Sequence, residues 1–164
     1  MNYGARHSTA SWLFFLHCDT TLPANFSKIL TALHEQVSKQ KCWGFFRVKL
    51  SGNDIRFRVI EKFINWRSRI SGIGTGDQVL FVHREFFCAN NGFAEIPLME
   101  DIDICQRLKI RGGRPHVFPD LVITSSRRWQ NHGVIKTVVL MWRLRFAYWR
   151  GVNPEKLARQ YQQH

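Results

Sequence analysis

Short apolar runs that alternate with stretches of helical spacing constrain the fold of this chain more than any other feature. Residues 12–16, 42–50 and 78–83 are rich in apolar residues, as is typical of strands covered on both faces of a sheet. Helical spacing follows the first run, after Pro23, and a second helix is predicted over residues 55–70. The alternation predicts an α/β fold, with residues 1–164 forming one domain whose open sheet has helices on both faces.

The second half of the chain continues this pattern less regularly. Pro119 interrupts one apolar segment, and proline within a sheet is found at edges and bulges. The predicted elements are a helix from Pro97 to about Arg111, one or two short edge strands over 117–125, and helices over 134–150 and 154–162. In open α/β sheets ligands bind beyond the carboxyl ends of strands, so we expect the site near Asp19, the loop 72–78 and the helix start 97–101.

The charge of the chain is strongly unbalanced. Lys and Arg number 24 against 12 acidic residues, which gives a formal net charge of +12. This surplus suits an anionic partner such as nucleic acid, an acidic membrane surface or a phosphorylated small molecule. The sequence has no helix-turn-helix, RNP or zinc-finger signature, so no nucleic acid is expected as a partner.

Cysteine spacing and apolar run lengths bear on the compartment. The four cysteines form no CxxC pair, which argues against a metal–thiolate site and favours reduced thiols. The apolar run near the start is too short for a signal peptide, and no window reaches the roughly 18 to 20 apolar residues of a transmembrane helix. We therefore expect a cytoplasmic protein, either free or peripheral to the inner face of the membrane.

Asp19 follows the first predicted strand and is a candidate metal ligand. Mg²⁺ and Mn²⁺ take oxygen ligands and commonly bridge one or two carboxylates to substrate phosphates. His17 lies two residues earlier and projects to the same side if the strand continues. Alternatively, Asp19 makes only a turn or a helix cap.

Three acidic residues fall in the first turn of the helix predicted after Pro97. Glu100, Asp101 and Asp103 would all compensate the helix dipole, which is a sufficient structural explanation. Helical periodicity nevertheless places Asp101 within the apolar stripe and directs the other two elsewhere. A carboxylate on the inward side is costly unless it is paired or lines a cleft, so Asp101 is the candidate general base, and a plain salt bridge is the alternative.

Two further segments carry polar residues beside predicted strand ends. The glycine-rich loop that contains Asp77 and Gln78 lacks the P-loop pattern and is more typical of a mobile loop beside a site. Arg127 and Arg128 could pair with phosphate, and Trp129 offers a flat surface for a sugar or a base. An ordinary basic turn with one packed indole is the alternative.

The helix predicted over 134–150 has a cationic stripe beside a broad apolar face. Lys136, Arg143 and Arg150 recur at intervals of seven residues next to Trp142 and Phe146. A helix of this kind can lie in a membrane interface with its cations toward anionic lipid. It can equally pack on the domain.

Five segments of the chain together resemble a known family. They are MNYGA at 1–5, LFFLHCDT with LP at 13–23, GDQ and LFV at 76–82, EIPLMED at 95–101, and SRRW at 126–129. The order and the residues of these segments resemble those of family 2 glycosyltransferases, in particular the group labelled arsenosugar-biosynthesis-type. The resemblance extends over essentially the whole chain.

The resemblance implies a GT-A fold and a metal-assisted, inverting transfer from a nucleotide-diphosphate sugar to a small-molecule or lipid-linked acceptor. Asp19 matches the last acid of the DxD metal motif, and His17 stands at its first position, beside a Mg²⁺ or Mn²⁺ ion. Asp101 matches the catalytic base. The residues that would bind substrate are Glu100, Asp77, Gln78, Arg127, Arg128 and Trp129.

The chain departs from the family pattern at its start. Family members carry an earlier segment with the opening strands and the acids that hold the nucleoside, whereas Met1 falls well inside the pattern. We therefore expect a sheet without those strands, and weak or absent transferase activity from residues 1–164 alone. The competing hypothesis is a non-catalytic basic module that binds nucleic acid or an anionic membrane surface.

Overall fold

The computed structural model describes residues 1–36 and 42–162, and within them five strands form one mixed sheet. The strand order is β1-β4-β3-β5-β2, and β3 and β5 are parallel while the other neighbouring pairs are antiparallel. The strands are β1 (Trp12–Phe15), β2 (Thr20–Thr21), β3 (Trp43–Leu50), β4 (Leu80–His83) and β5 (His116–Thr124).

Helices connect the strands and close the C-terminal side of the described chain. They are α1 (Asn2–His7), α2 (Phe26–Gln36), α3 (Ile55–Ser71), α4 (Arg84–Ala89), α5 (Glu100–Gly112), α6 (Arg127–His132), α7 (Val134–Trp149) and α8 (Pro154–Gln162), with a 3-10 turn at Gly76–Gln78. Within the described ranges no helix is both long enough and apolar enough to span a bilayer.

Alternation along β4 shows how the sheet is covered on both faces. Leu80 and Val82 point into one cluster, which includes Leu108 of α5, and Phe81 points into another, which includes Leu33 of α2. Since successive side chains of a strand point to opposite faces, the two clusters lie on the two sides of the sheet. The predicted α/β fold with helices on both faces is confirmed.

The prediction for residues 117–125 is wrong in one respect. They do not form edge strands: β5 is a single strand that lies between β3 and β2. Pro119 is accommodated by an irregularity in the register, because Phe46 pairs with Phe118 and the next residue, Arg47, pairs with Leu121. The extra residues leave the ladder at the proline, so its missing N–H costs no hydrogen bond.

Two predicted boundaries also shift. The helix expected from Pro97 begins at Glu100, after Met99 adopts a left-handed conformation with φ of 71°. Gln78, predicted as the first residue of a strand, ends the 3-10 turn, and Val79 with φ of 49° separates that turn from β4. Both left-handed residues are non-glycine, which marks constrained joints at the edge of the site described below.

Side chains from α3 complete one edge of β3. The strand pairs with β4 through residues 43–45, and beyond them Asn65 takes the place of a neighbouring strand. Its Nδ2 donates to the carbonyl of Val48 and its Oδ1 accepts from the Val48 N–H, both at 2.9 Å. The buried Glu61 accepts from the Leu50 N–H at 2.6 Å. These bonds fix α3 against the sheet, because buried backbone groups need partners.

Candidate active-site cavity

A cavity of about 1090 Å³ lies between α3, α7, the 3-10 turn and the start of α5. Its polar lining includes His17, Arg67, Asp77, Glu100 and Asp101, which come from four separate parts of the chain. Apolar residues of α3 and α7 form much of the remaining wall. A concave, largely apolar pocket with a few converging polar groups is the usual form of a small-molecule site.

Asp101 is held in place by two backbone donors. The N–H of Gly76 donates to its Oδ2 at 3.0 Å, and the N–H of Ile102 donates to its Oδ1 at 2.8 Å. The side chain is half-buried and lines the cavity, so the inward orientation predicted from helical spacing is confirmed. Among the described residues no side chain forms an ion pair with it, so the backbone donors orient the carboxylate.

Burial dominates the electrostatics of this carboxylate. It raises the pKa of Asp101, as does nearby Asp77, while the two backbone hydrogen bonds and Arg67 act in the opposite direction. Burial also raises the pKa of Glu100. For Arg67 burial lowers the pKa, and Asp101 offsets part of that effect. A carboxylate with raised basicity beside a buried cation has the character required of a general base.

Glu100 and Asp103 occupy different environments, although they share the first turn of α5. Glu100 lines the cavity. Asp103 instead forms an ion pair with Arg107, one turn further along, with a distance of 2.6 Å between oxygen and nitrogen. The first turn of α5 therefore contributes Glu100 and Asp101 to the cavity, whereas Asp103 pairs along the helix. A substitution of Asp103 is a matched control for the same substitution of Asp101.

His17 approaches the 3-10 turn closely. A Cβ built on Gly76 would lie 2.2 Å from His17 Nε2, so only glycine leaves room for the imidazole in this position. The Thr20 N–H donates to the His17 carbonyl at 3.1 Å and closes the turn after β1. Asp19 lies in this turn with its side chain exposed. It is not among the described residues that line the cavity.

The predicted metal ligands are therefore only partly brought together. Across residues 1–36 and 42–162, no group of three or more His, Cys, Asp or Glu side chains is arranged to hold a metal ion. His17 reaches the cavity and Asp19 remains in the adjoining turn. The side chains that the structure describes therefore do not form a complete coordination shell by themselves.

Gln78 has a structural position rather than access to the cavity. It is fully buried, and its Nε2 donates to the Phe46 carbonyl at 3.2 Å and to Ser68 Oγ at 3.0 Å. Its Oε1 accepts from the Thr75 N–H at 3.3 Å. The amide oxygen and nitrogen of Gln78 are therefore both bonded within the fold. These bonds hold the 3-10 turn that contains Asp77, and Asp77 lines the cavity.

The residues of the Arg-Arg-Trp segment also differ in whether they line the cavity. Trp129 lines the cavity and also packs on the cluster around Phe57. Arg127 is exposed at the start of α6 and is not among the described residues that line the cavity. The side chain of Arg128 lies outside the described part of the structure.

Sequence reasoning missed the cationic side chains of the cavity. Arg67 and Arg145 line it, together with Arg56 and Lys136. Among the described residues, Nε of Arg145 is buried without a hydrogen-bond partner. The available signal was the position of Arg145 between the apolar residues Leu144 and Phe146, since a buried guanidinium nitrogen without a partner is costly unless a ligand compensates it.

Fold and cavity together define the class of the protein as a mixed α/β protein with an acidic and arginine-lined pocket. Comparison with protein-family models, with curated proteins and with solved structures gives no match to this chain.

Proposed function

We propose that this protein is a nucleotide-sugar-dependent glycosyltransferase of the family 2, GT-A type, with Asp101 as its general base. The observation that carries the proposal is the oriented, partly desolvated Asp101 carboxylate in a cavity that it shares with Arg67 and Arg145. The sequence resemblance and the α/β sheet with helices on both faces are compatible with it.

Each part of the cavity has a role in the proposed transfer. Asp101 accepts the proton of the acceptor hydroxyl as that oxygen forms a bond to the anomeric carbon. The bond from the anomeric carbon to the diphosphate oxygen breaks, and its electron pair leaves with the nucleoside diphosphate. Arg67 and Arg145 stabilise the negative charge on the departing diphosphate, and Trp129 offers an apolar face to a sugar.

The proposal includes a divalent cation beside the leaving diphosphate. Asp19 and His17 would supply at most two ligands, so the remaining ligands would come from the diphosphate and water. Such an ion would neutralise charge on the leaving group.

Binding of the leaving group tests the proposal without requiring turnover. Titration of the purified chain with a panel of nucleoside diphosphates, with and without Mn²⁺, should reveal saturable binding to at least one of them. Arg67→Gln should weaken that binding by about tenfold, because a charge-assisted contact to phosphate is lost. Calorimetry or fluorescence titration measures the change.

Arg69→Gln is the matched control on the same helix, because Arg69 is exposed and lies outside the described lining of the cavity. The control should change affinity less than twofold. Absence of binding for every nucleoside diphosphate, or equal losses for the two variants, would contradict the proposal.

A further inference from the structure

Two helices beside the cavity expose apolar side chains that would ordinarily be buried. On α3 the exposed positions are Val59, Phe63, Trp66 and Ile70, which are between 37% and 66% accessible. On α7 the exposed positions are Ile135, Val139, Trp142, Phe146 and Trp149, which are between 51% and 78% accessible. We refer to these nine residues as the α3/α7 face.

The two halves of the face are joined by contact. The rings of Phe63 and Trp142 stack across the two helices with their centroids 5.7 Å apart. Each helix packs on the protein through its other side, α3 through Phe57 and Ile60 and α7 through Leu144. The broad apolar face predicted for residues 134–150 thus points outward, and only a narrow stripe of α7 is buried. Contiguous exposed apolar surface of this kind marks an interaction site.

Exposed cations border the face on both helices. Lys62 and Arg69 flank it on α3, and the seven-residue stripe of Lys136, Arg143 and Arg150 flanks it on α7. The guanidinium carbon of Arg150 lies 5.9 Å from the centroid of the Phe146 ring. Apolar residues with tryptophan, bordered by lysine and arginine, are the composition of helices that lie in the interface of an anionic bilayer.

We propose that the α3/α7 face docks the protein on an anionic lipid bilayer. A second copy of the chain fits less well, because a symmetric contact through this face would bring its bordering cations against each other. The net charge of +12 adds long-range attraction to anionic lipid.

Docking in this orientation connects the cavity with the bilayer. Val59, Phe63, Ile135 and Trp142 belong to the α3/α7 face and also line the cavity. The cavity therefore opens on the docking surface. This orientation also indicates the acceptor of the glycosyl transfer, an inference that rests on the function proposed above. We infer that the acceptor is an amphiphile supplied by the bilayer.

Vesicle flotation with the purified chain tests the docking surface. We expect the protein to float with vesicles of phosphatidylglycerol and phosphatidylcholine, and to remain behind with pure phosphatidylcholine. The double variant Trp66→Ser/Trp142→Ser should bind at least about tenfold more weakly, because two interfacial anchors are lost. Ile110→Ser on α5, where Ile110 is 84% exposed outside the face, should bind as the wild type does.

Charge variants test the border of the face. Arg143→Glu should weaken binding about fivefold or more, whereas Arg6→Glu, at an exposed position on α1, should have a clearly smaller effect. Circular dichroism and urea midpoints establish that the variants fold.

Three results would overturn the inference: no flotation of the wild type, equal flotation of the wild type and the double tryptophan variant, or a wild-type dimer that the double variant dissociates while vesicles are not bound. None of these measurements involves a nucleotide. Failure here leaves the nucleotide-binding result intact, and failure of nucleotide binding leaves the docking result intact.

Discussion

The N–H of Gly76 donates to Oδ2 of Asp101 at 3.0 Å, and this bond joins the 3-10 turn to the start of α5. The same glycine leaves room for His17, whose Nε2 would lie 2.2 Å from a Cβ at that position. Three segments that are distant in sequence therefore converge on one residue without a side chain. The candidate site depends on this convergence.

The stability of the wild type relative to Asp101→Asn should depend on pH. Burial raises the pKa of Asp101 above its ordinary value of 3.8, so the folded state takes up a proton at a higher pH than the unfolded state. The free energy of unfolding of the wild type should therefore rise relative to that of the variant as pH falls through the raised pKa toward 3.8. Urea unfolding at pH 8, 7, 6 and 5 measures the difference, and a constant difference would contradict the assignment.

Asn65→Ala should destabilise the fold by about 2 to 4 kcal/mol, because it leaves the N–H and the carbonyl of Val48 without their partner. Asn25→Ala provides the control, since Asn25 is exposed and its Nδ2 donates to Asp120 Oδ1, another side chain, at 2.8 Å. The control should cost less than about 1 kcal/mol. Urea unfolding compares the two, and equal losses would show that the bonds to β3 are unimportant.

Gly44→Ala should be among the most damaging small substitutions. A Cβ at Gly44 would lie 1.9 Å from the His116 carbonyl oxygen, so β3 and β5 would have to separate. We expect a loss of at least about 3 kcal/mol in the free energy of unfolding. Gly4→Ala, in α1 with nothing within 4 Å of the added atom, should be neutral or stabilising by up to about 1 kcal/mol. Thermal denaturation of both variants checks the contrast.

Arg145→Met should separate stability from ligand binding. Removing a partly buried cation whose Nε lacks a partner among the described residues should raise the free energy of unfolding by about 1 kcal/mol. The same change should weaken nucleoside diphosphate binding. Arg143→Met, at the exposed neighbouring position, should change stability by less than about 0.5 kcal/mol. A destabilised Arg145→Met variant would mean that Arg145 has a structural role.

The sequence predicted those parts of the fold that depend on local pattern. Apolar runs located β1, β3 and β4, and helical spacing placed Asp101 on the inward side of α5. Pro119 led to the wrong prediction of edge strands, because a bulge allows proline to lie in an interior strand. Local sequence also does not reveal which strands pair with each other. The expected helix start at Pro97 likewise moved to Glu100 after the left-handed Met99.

The apolar faces of α3 and α7 show why the candidate site was only partly predictable. Periodicity indicates that Phe63 and Trp142 lie on apolar stripes, but it does not distinguish a stripe that packs in the core from one that faces outward. Arg67 was missed for a related reason, because its role depends on Asp101 and Asp77, which reach it only through the tertiary fold.

The central claim is that Asp101 takes the proton from the hydroxyl group, of an acceptor or of water, that attacks the nucleotide-sugar. Release of nucleoside diphosphate from a panel of nucleotide-sugars tests it most directly. Concentrated protein and a sensitive product assay are needed, because slow turnover is expected. Turnover should fall by at least about a hundredfold in Asp101→Asn and stay within about twofold in Asp103→Asn, whose carboxylate pairs with Arg107 on the surface of α5. Equal turnover in the wild type and Asp101→Asn, or equal falls in Asp101→Asn and Asp103→Asn, would contradict the claim.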